Sequence, residues 1–228
     1  MEARKSGPPS KACTLSDSHW TRVWLNINAI TWSTDCWYYN LGITFNNVTM
    51  QYENSPGVDV RPIDFGGLSG IDYLDYALGY PITVTGYFAP LIADLEEVGY
   101  KAGVDLFGAP FDWRLADQPD MYAQLKELME NASRANGGRK VHIVAHSYGN
   151  IQTSLFLKTV PKAWVDQYFG SFISVAAPWS GAPKALRAII SGDDFGMDMG
   201  GWFSLVDPLR VRTIARQAGG LIILVPGT

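Results

Sequence analysis

The residues best placed to do chemistry lie where an apolar run, Val141-His142-Ile143-Val144-Ala145, passes directly into His146-Ser147-Tyr148-Gly149-Asn150. The run reads as a strand, and Ile151, Leu155 and Val160 recur at helical spacing after it. Ser147 therefore falls on a very tight strand-to-helix turn, exposed and held in a strained backbone conformation as a nucleophile would be. Such a turn brings the residues two before and two after the serine close together, so both must be small. Ala145 and Gly149 meet that need, Ala145 standing where the pattern usually has glycine. The same short string also fits a serine that merely caps a helix. A nucleophilic serine needs a base, and the chain has only His19, His142 and His146, all before Ser147. His142 lies within the strand and His146 abuts the serine on the turn, so His146 reads as a packing or hydrogen-bonded neighbour and none of the three as the base.

The elements around the turn read as alternating strands and helices. A helix around Phe88 to Val98 is closed by Gly99, and a strand follows over Val104 to Phe107. The next helix, about Pro119 to Asn136, carries Met121, Leu125, Leu128 and Ala132 on one face and ends at Gly137-Gly138. After the serine turn come a helix near Lys162 to Phe169, a strand over Phe172 to Ala176 and a short helix over Ala182 to Ile190. Nearly continuous apolar strands alternating with helices predict an α/β protein with a mainly parallel sheet covered on both faces. Catalytic groups belong at the carboxyl ends of such strands, which is where Ser147 sits. Upstream, Ile43 to Tyr52 alternates like a hairpin arm, Pro56-Gly57 marks a turn and Val58 to Ile63 is extended. Residues 1–12 are expected to be a disordered lead. The segment from Ser191 to Phe203 mixes glycines, acids and large apolar groups, a loop or lid composition, and Ile223 to Pro226 reads as a further strand.

Bulk composition narrows the function classes. The 228 residues, 47% hydrophobic, can bury one sizeable core. Lys plus Arg number 18 against 22 Asp plus Glu, a formal charge of -4, and no basic stripe interleaves with aromatics, which argues against nucleic acid as a partner. The first residues are polar, with no apolar core of a signal peptide in this chain. Cys13 and Cys36 fit either a disulfide or two unrelated thiols. Asn47-Val48-Thr49 and Asn131-Ala132-Ser133 are glycosylation sequons, the second within an expected helix. Trp20, Trp24 and Trp32 stand among few charges and suit either a core or a lipid interface.

Taken in order, a set of longer motifs resembles the lecithin:cholesterol acyltransferase family, which includes lysosomal phospholipase A2 and phospholipid:diacylglycerol acyltransferases. The carriers are Trp24-Leu25-Asn26, Asp35-Cys36-Trp37, Asn54-Ser55-Pro56-Gly57-Val58, Asp64-Phe65-Gly66-Gly67, Tyr73-Leu74-Asp75, Gly108-Ala109-Pro110-Phe111-Asp112-Trp113-Arg114-Leu115, the serine turn, and Ala177-Pro178-Trp179-Ser180-Gly181. The resemblance covers about Cys13 to Pro226 and implies the central portion of an α/β-hydrolase fold with a membrane-binding loop and a lid. It divides the chain into a lead (1–12), a disulfide-closed membrane-binding subdomain (13–36), a partial α/β-hydrolase core (37–190), a lid (191–215) and the start of a post-lid segment (216–228).

The implied reaction moves an acyl group from a phospholipid through an acyl-Ser147 intermediate, to a sterol, a diacylglycerol or water. The backbone N–H of Tyr148 is an oxyanion donor at the positive end of the following helix. By the same resemblance Cys13 and Cys36 close the membrane loop, Trp24 and Trp20 contact lipid at a membrane or lipoprotein surface, and Asn47 carries a glycan. Asp112, Trp113 and Arg114 lie near the catalytic edge and read as support for the site. No cofactor or metal is implied, and the compartment is the secretory lumen, the lysosome or vacuole, or the exterior. The family order is Ser, then acid, then His. No histidine follows Ser147, and Asp166, Asp193, Asp194, Asp198 and Asp207 precede the later strands, so the triad acid and histidine are expected to lie outside this chain. Two readings follow: the central part of a serine acyltransferase or phospholipase, inactive alone, or a truncated, non-catalytic lipid-binding relic.

Overall fold

A computed structural model describes residues 1–6, 15–77, 80–81, 85–196 and 206–227. Its strands are β1 (Glu2–Lys5), β2 (Thr21–Arg22), β3 (Ile43–Asn46), β4 (Gln51–Asn54), β5 (Val58–Arg61), β6 (Tyr76–Ala77), β7 (Tyr80–Pro81), β8 (Val141–His146) and β9 (Phe169–Val175). Its helices are α1 (Ile27–Trp32), α2 (Thr34–Leu41), α3 (Ala89–Glu97), α4 (Pro119–Ala135), α5 (Tyr148–Thr159), α6 (Lys162–Tyr168), α7 (Pro183–Ile190), α8 (Pro208–Ala215) and α9 (Gly219–Ile222).

The first residues depart from the disordered lead that their charges suggest. Glu2–Lys5 form the middle strand of an antiparallel sheet, order β2-β1-β5. The strand alternates: Ala3 is fully buried, while Glu2 and Arg4 pair across the sheet with Arg61 and Asp59, their register partners. A two-residue period puts Glu2 and Arg4 on one face and leaves Ala3 on the other, in the core, so high charge and strand structure are compatible. Residues 7–14, Cys13 among them, lie outside the described residues. Ile43 to Tyr52, expected as a strand or a hairpin arm, spans both arms of a hairpin, β3 against β4. At its turn the Asn46 carboxamide oxygen accepts the N–H groups of Val48 and Thr49, a side-chain cap typical of asparagine, and Asn47 is exposed.

The α/β portion is simpler than the sequence predicts. Among the described residues β8 and β9 form a two-stranded parallel sheet, joined by the crossover through α5 and α6. The expected strand at 104–107 is a turn instead. The N–H groups of Val104, Asp105 and Leu106 all point to the Lys101 carbonyl at 3.1 Å, and Asp105 accepts the Lys101 N–H at 2.6 Å. This local network satisfies the backbone in place of a ladder. The run expected to be a strand at 223–226 continues α9 as a turn, the N–H groups of Leu224 and Val225 donating back to the carbonyls of Leu221 and Ile222.

Of the predicted face of helix α4, Met121 and Ala132 are buried and Leu125 and Leu128 half-buried, Met129 is buried as well, and the helix closes on Gly137 and Gly138, both at positive φ. It packs with Phe156 of α5 and Trp164 of α6 into one cluster, while a second gathers Ile30, Trp37, Leu41, Val58 and Val211. Of the segment expected to be a lid, residues 197–205 lie outside the described residues. Its later part is α8, started by an Asp207 cap on the Leu209 N–H and by Pro208, a signal legible in the sequence.

The parallel pair leaves apolar surface open. Ile173, Val175 and Trp179 are 51%, 43% and 57% exposed. Clustered apolar exposure beside strand edges favours self-association. The 228-residue chain expressed alone is therefore expected to bind the dye ANS and to sediment as a concentration-dependent mixture. A monodisperse, dye-silent monomer with one cooperative melt contradicts this.

Candidate active site

Ser147 sits where strand β8 ends and helix α5 begins, with φ 50° and ψ -123°. A left-handed φ is uncommon for a residue with a Cβ and is retained only where the surroundings hold it. An ordinary N-cap lies in the extended region and accepts an N–H from the first turn of its helix. Ser147 does neither: its side chain makes no capping bond. The hydroxyl thus stays available, half-buried at the carboxyl end of a parallel strand. The small flanking residues meet as predicted, since a Cβ built on Gly149 would lie 3.6 Å from the Ala145 methyl and 3.7 Å from the Phe111 ring. A methyl group fills that gap and anything longer collides.

The strand end is locked to its neighbour. The Ser147 N–H donates to the Val175 carbonyl at 3.0 Å, and the Asn150 amide nitrogen donates to the Ser147 and Val175 carbonyls at 2.9 and 3.0 Å. The Tyr148 side chain turns inward. Its hydroxyl donates to the Leu115 carbonyl at 2.7 Å and accepts from Gln152 at 2.6 Å, and burial raises its pKa. Its role is to pin α5 to the 111–116 loop, which leaves its backbone N–H, first in the helix and without an intrahelical partner, beside Ser147.

An apolar cavity of about 550 Å³ opens alongside. Residues 141–149 border it consecutively, so it runs along the free edge of β8 up to Ser147. Leu91, Phe111, Leu125 and Met129 are among the side chains on its other walls. Each histidine is engaged elsewhere. His142 pairs with Ser171 at 2.7 Å, His19 with Ser18 at 2.6 Å, and His146 with the hydroxyl of Tyr87, whose pKa burial raises. Among the described residues no group of three His, Cys, Asp or Glu side chains could hold a metal ion.

Asp112 and Arg114 form a buried ion pair at 2.6 Å, 6% and 1% exposed. The guanidinium also donates to the carbonyls of Leu41 and Gly42 and to Asn54. Trp113 between them packs on Trp24 at 4.8 Å, and Trp24 stacks on Trp37 at 6.3 Å and 18°. Trp24, expected to face lipid, is half-buried in an indole cluster with Trp37 and Trp113. Trp20 lies under two guanidinium groups, Arg4 at 4.7 Å and Arg61 at 4.0 Å. The exposed tryptophan of this region is Trp32, 83% accessible at the end of α1. No described cysteine is free.

A family model described as lecithin:cholesterol acyltransferase matches residues 19–228. The chain belongs to the lecithin:cholesterol acyltransferase family. Human lysosomal phospholipase A and acyltransferase is 33% identical over 217 residues, 94% of this chain and 50% of that protein. The Rattus norvegicus protein of the same description is 34% identical over 214 residues, 92% of this chain and 49% of its own. Phosphatidylcholine-sterol acyltransferase of Gallus gallus is 33% identical over 204 residues, 88% and 48% respectively. The chain spans about half the length of these curated relatives.

Within this family member, several residues around the serine carry no sequence signal. Tyr87, Gln152 and Asn150 are polar groups in otherwise apolar stretches, and only the fold turns them toward the strand end. Asp112 and Arg114 were legible as a pair of opposite charges two residues apart, but their reach to 41–42 and 54 was not. Removing one partner from a buried ion pair leaves a charge uncompensated, at a cost of about 3–5 kcal/mol. Arg114→Met should lower unfolding stability by about that amount in urea titration, and Arg114→Lys should lower it too, because an ammonium cannot reproduce the planar fork. A lysine variant within about 1 kcal/mol of the parent would show that the fork geometry is unimportant.

Proposed function

We propose that this chain is the acyl-transferring core of a serine-dependent phospholipid acyltransferase or phospholipase A. The observation that carries the reading is Ser147 at positive φ with no capping bond, beside an apolar cavity. The names of the curated relatives, a phospholipase A and acyltransferase and a phosphatidylcholine-sterol acyltransferase, supply the substrate class. In this reading β8 and β9 belong to an α/β-hydrolase-like fold.

Ser147 Oγ attacks the carbonyl carbon of a phospholipid ester as its proton passes to a histidine outside these 228 residues, itself oriented by an acid. The backbone N–H of Tyr148 donates to the oxyanion that forms. Collapse expels the lysolipid as an alcohol, which takes up the proton, and leaves an ester on Ser147. A sterol or diacylglycerol hydroxyl, or water, then attacks that ester and regenerates the serine. Apolar walls suit the acyl chain, which gains about 0.8 kcal/mol for each methylene removed from water.

The periphery fits a lipid surface. Trp32, rather than Trp24, is the indole available to enter a membrane interface, where tryptophan is favoured. Cys13 and Cys36 close the loop that carries it, and a glycan on Asn47 sits at the exposed hairpin turn. These features suit the secretory lumen, a lysosome or vacuole, or the cell exterior. The engagement of all three histidines away from Ser147 favours the second reading, a non-catalytic lipid-binding relic, for the chain in isolation.

Incubation of the longest natural chain containing these residues with a fluorophosphonate probe separates the two. An activated serine labels at Ser147 and a Ser147→Ala variant does not, whereas a relic shows no difference between them. The membrane role has its own test: Trp32→Ser should weaken binding to phosphatidylcholine vesicles about tenfold, as expected for loss of one interfacial indole worth 1–2 kcal/mol. Equal vesicle binding by the two proteins would remove Trp32 from the interface.

A further inference from the structure

We infer that Asn150 is a positioning residue that sets the direction of the Tyr148 N–H and couples the serine turn to the end of β9. The inference rests on the reading of Ser147 as the nucleophile and assigns a function to a side chain that the reading does not use. Asn150 is fully buried, at 0% exposure in the first turn of α5. Its amide nitrogen faces two carbonyl oxygens, those of Ser147 at 2.9 Å and Val175 at 3.0 Å. Only the NH2 end can face two acceptors, so the orientation of the amide is fixed by its partners. Its oxygen is buried and has no hydrogen-bond partner among the described residues. Half of the group's bonding capacity is thus given up so that the other half can donate to these two carbonyls.

Both carbonyls adjoin strained backbone. Ser147 is at φ 50°, and the Val175 carbonyl belongs to the peptide leading into Ala176 at φ 46°. These are the turns at the carboxyl ends of the two parallel strands, and one amide holds both. The Val175 carbonyl also accepts the Ser147 N–H at 3.0 Å, so three groups converge there. The consequence for chemistry follows from the planarity of the peptide unit. The Ser147 carbonyl and the Tyr148 N–H belong to one plane and point in opposite directions, so fixing the carbonyl aims the N–H. A carbonyl that accepts a hydrogen bond also polarises its peptide and makes that N–H a stronger donor. Asn150 therefore stands behind the oxyanion donor as its orienter and touches no reacting atom.

The test uses the longest natural chain containing these residues, with a fluorophosphonate as probe and amide hydrogen exchange as a second readout. Asn150→Leu keeps the bulk and removes both donors, and Asn150→Ser keeps one shorter hydroxyl donor. The leucine variant should lose about tenfold in the maximal labelling rate of Ser147, a part of what loss of a whole oxyanion donor costs, with the probe's half-saturation concentration within about twofold. The serine variant should recover part of that rate. Exchange at the Ser147 and Ala176 amides should quicken about tenfold in the leucine variant while that of α4 stays unchanged. A leucine variant that labels at the parental rate, or that leaves exchange at Ser147 and Ala176 unaltered, overturns the inference. A parent chain that fails to label sinks the serine reading instead, and the exchange measurement then decides the clamp by itself.

Discussion

The structure is organised around one buried cation. Every donor of the Arg114 guanidinium is used: Nε and one terminal nitrogen bind Asp112, that nitrogen also reaches Asn54, and the other meets the carbonyls of Leu41 and Gly42. A cation at 1% exposure is costly unless paired and fully bonded, and here the pairing ties distant pieces together. The end of α2, strand β4 and the loop before α4 meet at this side chain. The Arg114 carbonyl in turn accepts the Gly220 N–H at 3.0 Å, which brings in the segment after α8. Trp113, between the two charged residues, packs on Trp24 and so joins the indole cluster of the first 40 residues to the same point.

That junction bears on the serine through Tyr148. Its hydroxyl is held by the Leu115 carbonyl, one residue beyond Arg114, and by Gln152 one turn along α5. The first turn of α5 is therefore anchored at its side chains by the 111–116 loop and at its backbone by Val175 and Asn150. A strained φ at Ser147 persists because both sides of the turn are fixed independently. The arrangement keeps a hydroxyl free, an N–H aimed beside it and an apolar cavity within reach, which is what acyl transfer from a lipid ester requires.

What the sequence discloses depends on how local each cause is. The small pair Ala145 and Gly149, the apolar strand before Ser147 and the helical spacing after it act within ten residues, and the turn has the predicted form. Helix α4 and its two closing glycines are likewise local. Charge masked the strand at Glu2–Lys5, since pairing with β5 lies more than fifty residues away and only that pairing shows the charges to be on one face. Val104 to Phe107 has strand composition, yet the Lys101 carbonyl takes the N–H groups of Val104, Asp105 and Leu106, and the Asp105 carboxylate accepts the Lys101 N–H. Trp24 looked lipid-facing because an indole suits an interface and a core equally, and its choice rests on Trp37 and Trp113. Asn150 gave no signal at all, because its meaning lies in the two carbonyls it meets.

The central claim is that Ser147 carries the acyl group. The most direct measurement is peptide mass spectrometry of the longest natural chain containing these residues, after brief incubation with phosphatidylcholine bearing an isotope-labelled acyl chain and quenching in acid. The account predicts the acyl mass on the peptide that spans Ser147. Labelled acyl found on another residue, with that peptide unmodified while labelled product accumulates, would contradict it.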